Sequence, residues 1–201
     1  MKARTGIGML AIALAALVML APAGAQQPGA PAGKDAPTKD APKGGKKVKQ
    51  SAVITMEKGG EIAIEFFPDD APKTVENFVT LAKKGFYDGV TFHRVEPNFV
   101  VQGGDPYSRG GEHAKGPVGT GGPGYKIKCE TTGNPHKHAV GSLSMAHAGK
   151  DTGGSQFFLV LNEANTRHLN GVHTVFGRIV EGLEFLPDIK QNDELTSARV
   201  D

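Results

Sequence analysis

Tryptophan is absent from this chain, cysteine occurs once, at Cys129, and aromatic residues fill only 6% of 201 positions. A single cysteine closes no intrachain disulfide, so a small disulfide-stapled scaffold is excluded. Such a lone Cys is more often a small buried residue than a nucleophile. No His-Glu-x-x-His and no Gly-x-Ser-x-Gly occurs, so zinc proteolysis and serine hydrolysis lack their usual carriers. Basic charge is scarce where nucleic acid would need it. The formal net charge is +2, but Lys2, Arg4 and the six lysines of residues 26–50, set against Asp35 and Asp40, hold +6, so residues 51–201 carry −4. A nucleic-acid footprint wants a basic patch on the folded domain itself, and nucleic acid is not an expected partner.

Glycine is plentiful, with 28 residues spread along the chain, which favours turn-rich β structure over a helical bundle. Residues 1–25 read as a secretory signal. Lys2 and Arg4 form a positive start, Met9 to Leu20 is unbroken apolar sequence, and Ala23-Gly24-Ala25 offers a small-x-small cleavage site. The apolar core is shorter than the ~20 residues that span a bilayer, so export to a periplasm or beyond is expected, with no stable membrane span after cleavage. Residues 26–50 repeat Ala, Pro, Gly, Lys and Asp, including Lys-Asp-Ala-Pro twice. They read as a disordered linker, because nothing in them offsets the entropy of ordering. Residues 51–201 read as the folded domain.

In that domain Ala52–Glu57 and Glu61–Phe67 are β-like around Lys58-Gly59-Gly60, a hairpin signal. Asp70 is the expected N-cap of a helix with Pro72 in its first turn; Val75, Phe78, Val79 and Ala82 recur at helical spacing until Gly85. Further strands are expected near 125–129, 140–145, 157–161, 175–180 and 195–200, with a second helix over 181–189. Many short strands and two helices suggest a closed antiparallel barrel with helices over its ends.

Two motifs fail on context. Gly119-Thr120-Gly121-Gly122-Pro123-Gly124 fits a dinucleotide pattern, but a strand-like stretch follows it and Pro123 interrupts it, so it reads as a loop. His136-Lys137-His138 could place two ligands on one strand face, but no third ligand stands at a recurring spacing. No metal or other cofactor is expected.

The informative stretch is Phe92-His93-Arg94-Val95-Glu96-Pro97-Asn98-Phe99-Val100-Val101-Gln102-Gly103-Gly104-Asp105. It puts one guanidinium among aromatic and β-branched residues. Such a group is costly without partners, so Arg94 either holds the fold or is kept for a ligand. Taken with Gly141-Ser142-Leu143-Ser144-Met145-Ala146 and Gly153-Gly154-Ser155-Gln156-Phe157-Phe158, it resembles the cyclophilin family of peptidyl-prolyl isomerases over roughly residues 53–189. The resemblance implies an all-β-dominated fold, a closed eight-stranded antiparallel β-barrel capped by two α-helices. It also implies site residues. Arg94 resembles the catalytic arginine, and Gln102 would support it. Phe99, Val100, Phe158 and Leu169 would line a proline pocket. Ala146, His147 and Ala148 would hold the peptide main chain, with Gln156 in the same groove and His168 and His173 at one end.

The residue types suit that chemistry. Rotation about Xaa–Pro breaks amide resonance against a barrier of about 18–20 kcal/mol. No bond is cleaved, so no nucleophile or metal is required. In the twisted state the prolyl nitrogen regains its lone pair, and a fixed guanidinium can donate to it. The implied partners are proline-containing peptides and exported proteins that are still folding, and the implied state is a monomer. The chain departs from the family at three places. His168 stands where many members have a Trp that contributes to cyclosporin binding, so weaker inhibition is implied. Val100 replaces a common Met, and His147 stands where Asn is frequent. A module that binds prolyl segments without turning them over is the competing reading.

Overall fold

The computed structural model describes residues 50–201. The signal expected at 1–25 and all but the last residue of the linker lie outside the described residues. The elements are β1 (Ser51–Met56), β2 (Glu61–Phe66), α1 (Pro72–Lys83), β3 (Val90–Thr91), β4 (Arg94–Glu96) and β5 (Val100–Gly103), then β6 (Ser142–Met145), β7 (Phe157–Val160), α2 (Glu163–Thr166), β8 (Val175–Glu181) and β9 (Glu194–Val200).

The strands form one antiparallel sheet in the order β3-β9-β1-β2-β8-β6-β7-β5-β4. Its edge strands, β3 and β4, are consecutive in sequence, with only Phe92 and His93 between them. The sheet therefore curls until both edges meet one short segment. It is nine-stranded and open at that seam, where a closed eight-stranded barrel was expected. The reason lies in the backbone bonds. Phe92 spends its N–H on Asp193 O and its carbonyl on Asn192 N, on the β9 side, while Arg94 already pairs with Gln102 of β5. No ladder joins β3 to β4 among the described residues.

Strand alternation fills the interior. Ile54, Ile62 and Ile64 are fully buried, each worth about 1.5–3 kcal/mol relative to exposure. Helix α1 packs Val75, Phe78, Val79 and Ala82, the spacing read from sequence, into that same core. Phe78 lies 4.8 Å from Tyr87, 5.5 Å from Phe157 and 5.6 Å from Phe176 between ring centroids.

Three local expectations are corrected. Asp70 does not cap α1: Ala71 occupies the cap position without a side-chain bond. Instead Glu130 arrives from a distant loop, and its carboxylate accepts Lys73 N at 3.0 Å, Thr74 N at 2.8 Å and Thr74 Oγ1 at 2.7 Å. A negative group there also suits the helix dipole. The second helix expected at 181–189 is replaced by the end of β8, a left-handed Gly182 (φ +80°) and a 3₁₀ segment, Leu183–Asp188. Pro187 lacks an N–H and cannot extend an α-helix there. The only other α-helix among the described residues is the four-residue α2, capped by Asn162. The strand expected at 125–129 shrinks to one bridge, Ile127 to Gly153, because Cys129 N turns to the Asp151 side chain at 2.9 Å. Cys129 itself is half-buried.

Candidate active site

The pleat of β4, β5 and β7 builds the site. Along β5, Val101 faces the interior while Val100 faces outward. Along β7, Phe157 and Leu159 face inward, and Phe158 and Val160 outward. The register sets Arg94 opposite Gln102 and Gln102 opposite Phe158. One row across the outer face thus carries a cation, an amide and a phenyl ring. Val100, Phe158 and Val160 form a second apolar cluster outside the main core, with Phe99, Ala146 and Leu169 packed against it.

This row borders a groove of about 830 Å³. Phe99, Val100, Phe158 and Leu169 form its apolar end. Arg94, Gln102 and Gln156 give it polar groups, Ala146, His147 and Ala148 form a rim, and His173 lines it beside Phe158. His168 does not line the groove; its ring stacks on Phe99 at 5.8 Å and 6°. The structure thus brings the other sequence-picked site residues to one cavity and places His168 as backing for one wall.

Arg94 keeps 49% of its side chain exposed. Its Nη1 donates to Gln102 Oε1 at 3.4 Å and its Nε to Glu96 Oε1 at 3.4 Å. The guanidinium carbon sits 6.0 Å from the centre of the Phe99 ring, within cation–π range. Asn98 takes a left-handed φ of +59° in the turn that carries Phe99. Gln102 Nε2 donates onward to Gln156 Oε1 at 2.9 Å.

This geometry sits on a recognisable sequence. Residues 52–200 match the model of the family described as cyclophilin type peptidyl-prolyl cis-trans isomerase/CLD. The chain belongs to that family. It is 56% identical over 152 residues to peptidyl-prolyl cis-trans isomerase B of Bacillus subtilis, covering 76% of this chain and 99% of that protein. It is 57% identical over 140 residues to a peptidyl-prolyl cis-trans isomerase of Helicobacter pylori, covering 69% and 79%. A crystal structure of a Cryptosporidium parvum cyclophilin-type isomerase superposes with a TM-score of 0.64 at 28% identity, covering 77% of this chain and 98% of that one. A second crystal structure of that protein, in the presence of the dipeptide Ala-Pro, gives 0.62 at 28%, covering 75% and 98%. The fold is that of a cyclophilin, and the chain is a peptidyl-prolyl cis–trans isomerase, which decides against the binding-only reading.

The cyclophilin groove uses residues that sequence reasoning passed over. The glycine run at 119–124, set aside as a failed dinucleotide motif, is indeed a loop, and Gly119, Thr120, Gly121 and Pro123 line the groove. Gln156 Nε2 donates to Gly119 O and Gly121 O, each at 2.9 Å. Tyr125 donates its hydroxyl to Asn77 Oδ1 at 2.6 Å, and Asn77 Nδ2 donates to Gly154 O at 2.8 Å. These ties cross from α1 to the groove loops, and no local sequence signal announces them.

The histidines separate by environment. His173 packs its ring edge-on to Phe158 at 5.5 Å and stacks on His147 at 3.9 Å. Burial pushes its pKa down to about 4, against the opposing effect of the Met145 carbonyl. His147 lies 2.9 Å from Val172 O through Nε2, and its Nδ1 accepts Gly149 N at 3.2 Å. His138 is buried against Asn170 and Ser144 and stacks behind Phe158 at 5.6 Å. His136 instead stacks on Phe67 at 3.6 Å and meets Asp70 at 2.9 Å. The His136–His138 pair therefore serves two separate places, and no cluster of three potential metal ligands exists among the described residues.

Proposed function

We propose that this cyclophilin accelerates Xaa–Pro rotation by donating from Arg94 to the prolyl nitrogen as the amide twists. In this reading the ring of the substrate proline sits against Phe99, Val100, Phe158 and Leu169. The observation that carries it is a guanidinium with two side-chain anchors and half its surface free, at the border of an apolar pocket. The twisted amide is a better acceptor than the planar one, so the donor favours the transition state over the ground state. Ala146, His147, Ala148 and Gln156 hold the flanking main chain, and the half-buried His173 braces Phe158. Removing one such donor costs roughly 10²–10³ in rate. Exchange spectroscopy on an Ala-Pro peptide, with wild type and Arg94→Ala, reads that loss.

We further propose that the clients are exported proteins whose slow prolyl steps, tens of seconds uncatalysed, delay folding. The support is the sequence of residues 1–25. Among the described residues no helix is long and apolar enough to cross a membrane. The protein then acts as a monomeric folding helper in a periplasm or outside the cell. N-terminal sequencing of the protein recovered from cells is expected to start near Gln26; a soluble protein beginning at Met1 would contradict export by cleavage.

A further inference from the structure

Asp105 has no exposed surface and stands behind the groove rather than in it. Its Oδ1 accepts Tyr107 N at 2.8 Å, and its Oδ2 accepts Gly119 N and, at 3.2 Å, Gly121 N. Nothing larger than glycine fits at 121, where a Cβ would lie 2.1 Å from Asp105 Oδ1. With their N–H groups turned in to the carboxylate, Gly119 and Gly121 turn their carbonyls to Gln156.

The rest follows from which atoms can donate. Two carbonyls can be met only by the NH2 end of the Gln156 amide. Gln156 Oε1 must then face Gln102, and only the NH2 end of Gln102 can donate to it, at 2.9 Å. Gln102 is left with its oxygen toward Arg94, which donates to it. Each amide is oriented by the group behind it, and the first is oriented by an acceptor-only carboxylate. One histidine also adjoins this chain of bonds. His93 lies beside Asp105 and Gln156, its ring nitrogens are buried without a hydrogen bond of good geometry, and burial lowers its pKa.

We propose that Asp105 is a positioning residue for prolyl isomerisation: acting through Gly119, Gly121, Gln156 and Gln102, it fixes which end of the Gln102 amide faces Arg94. The proposal rests on the reading of Arg94 given above. Reversal of the relay would set an NH2 group against the guanidinium, donor to donor, and Arg94 would lose one of its two anchors.

The test is a double-mutant cycle in the peptide exchange assay on the full chain. Asp105→Asn keeps the shape but puts an NH2 where an acceptor is needed. It is expected to lower kcat about tenfold while KM stays within about twofold. Gln156→Leu cuts the relay at its middle and lowers kcat similarly, and adding Asp105→Asn to it costs no more than about a further twofold. The Arg94 Nη–H resonances, whose Nη1 donates to Gln102 Oε1, are expected to be broader in both single variants than in wild type. A folded Asp105→Asn with wild-type kcat overturns the proposal, and so does an equal loss in the Gln156→Leu background. If Asp105→Asn does not fold, Gln156→Leu decides, and an unchanged kcat there sinks the relay. Arg94→Ala run alongside separates the two claims. If it is impaired while Asp105→Asn is not, only the relay fails; if it is unimpaired, the reading of Arg94 fails.

Discussion

Two arginines in this chain carry the same chemistry to opposite ends. Arg109 spends its donors on backbone carbonyls, reaching Asp88 O at 2.8 Å as well as Phe86 O and Gly85 O, and so ties a loop to the segment after α1. Arg94 spends two on side chains and keeps half its surface open beside Phe99. From sequence alone either role was open to Arg94; its half-open placement beside Phe99 supports the ligand-directed role proposed above. His173 shows the same dependence on surroundings. In the folded chain burial keeps it unprotonated down to about pH 4, whereas in the unfolded chain it takes up a proton near 6.5. Between those values the unfolded chain binds more protons, so stability falls as pH drops through that window. Burial shifts His93 and His138 the same way. Urea unfolding is expected to give a lower midpoint at pH 5 than at pH 7. His173→Phe, which keeps a ring against Phe158, is expected to narrow that difference; an unchanged gap would contradict the assignment.

At the scale of elements, legibility followed the range of the interaction. The apolar alternation of β2 and the spacing of Val75, Phe78, Val79 and Ala82 are local signals, and β2 and α1 form where those signals lie. The α1 cap was misread because its donors are met by Glu130, 56 residues beyond Thr74. Asp70 instead pairs with His136. Glu130→Ala is therefore expected to destabilise the domain by about 1–2 kcal/mol, while Asp70→Ala costs about 0–1 kcal/mol, as for a partly exposed ion pair. Chemical denaturation of the two variants checks the order, and a larger loss for Asp70→Ala would reverse this account of the cap. Pro187 was a legible warning against a helix at 181–189 that the apolar pattern outweighed. The groove loop at 119–124 had no such warning, since its role depends on Asp105 and Gln156 meeting it from two other parts of the chain.

At the scale of the molecule, the curled sheet uses both its faces. The inward face packs Ile54, Ile62, Phe157 and Phe176 into the core. The outward face of β4, β5 and β7 is left to carry Arg94, Gln102 and Phe158. That division comes from the two-residue period of strands, and it lets the cation proposed to act in catalysis stand one residue from core side chains. The open seam at Phe92–His93 lies directly before Arg94, so the edge strand β4 is held by one neighbour only. Family membership was legible because the site motifs are contiguous runs; the strand count was not, because closure depends on where Phe92 sends its backbone bonds.

Exchange spectroscopy on an Ala-Pro peptide, comparing wild type, Arg94→Lys and Arg94→Ala at equal concentration, tests the central claim most directly. Lysine keeps the charge but loses the planar fork that Gln102 and Glu96 hold. The account predicts fast exchange with wild type, a loss of roughly 10²–10³ with Arg94→Ala, and little recovery with Arg94→Lys. Exchange as fast with Arg94→Ala as with wild type would contradict it.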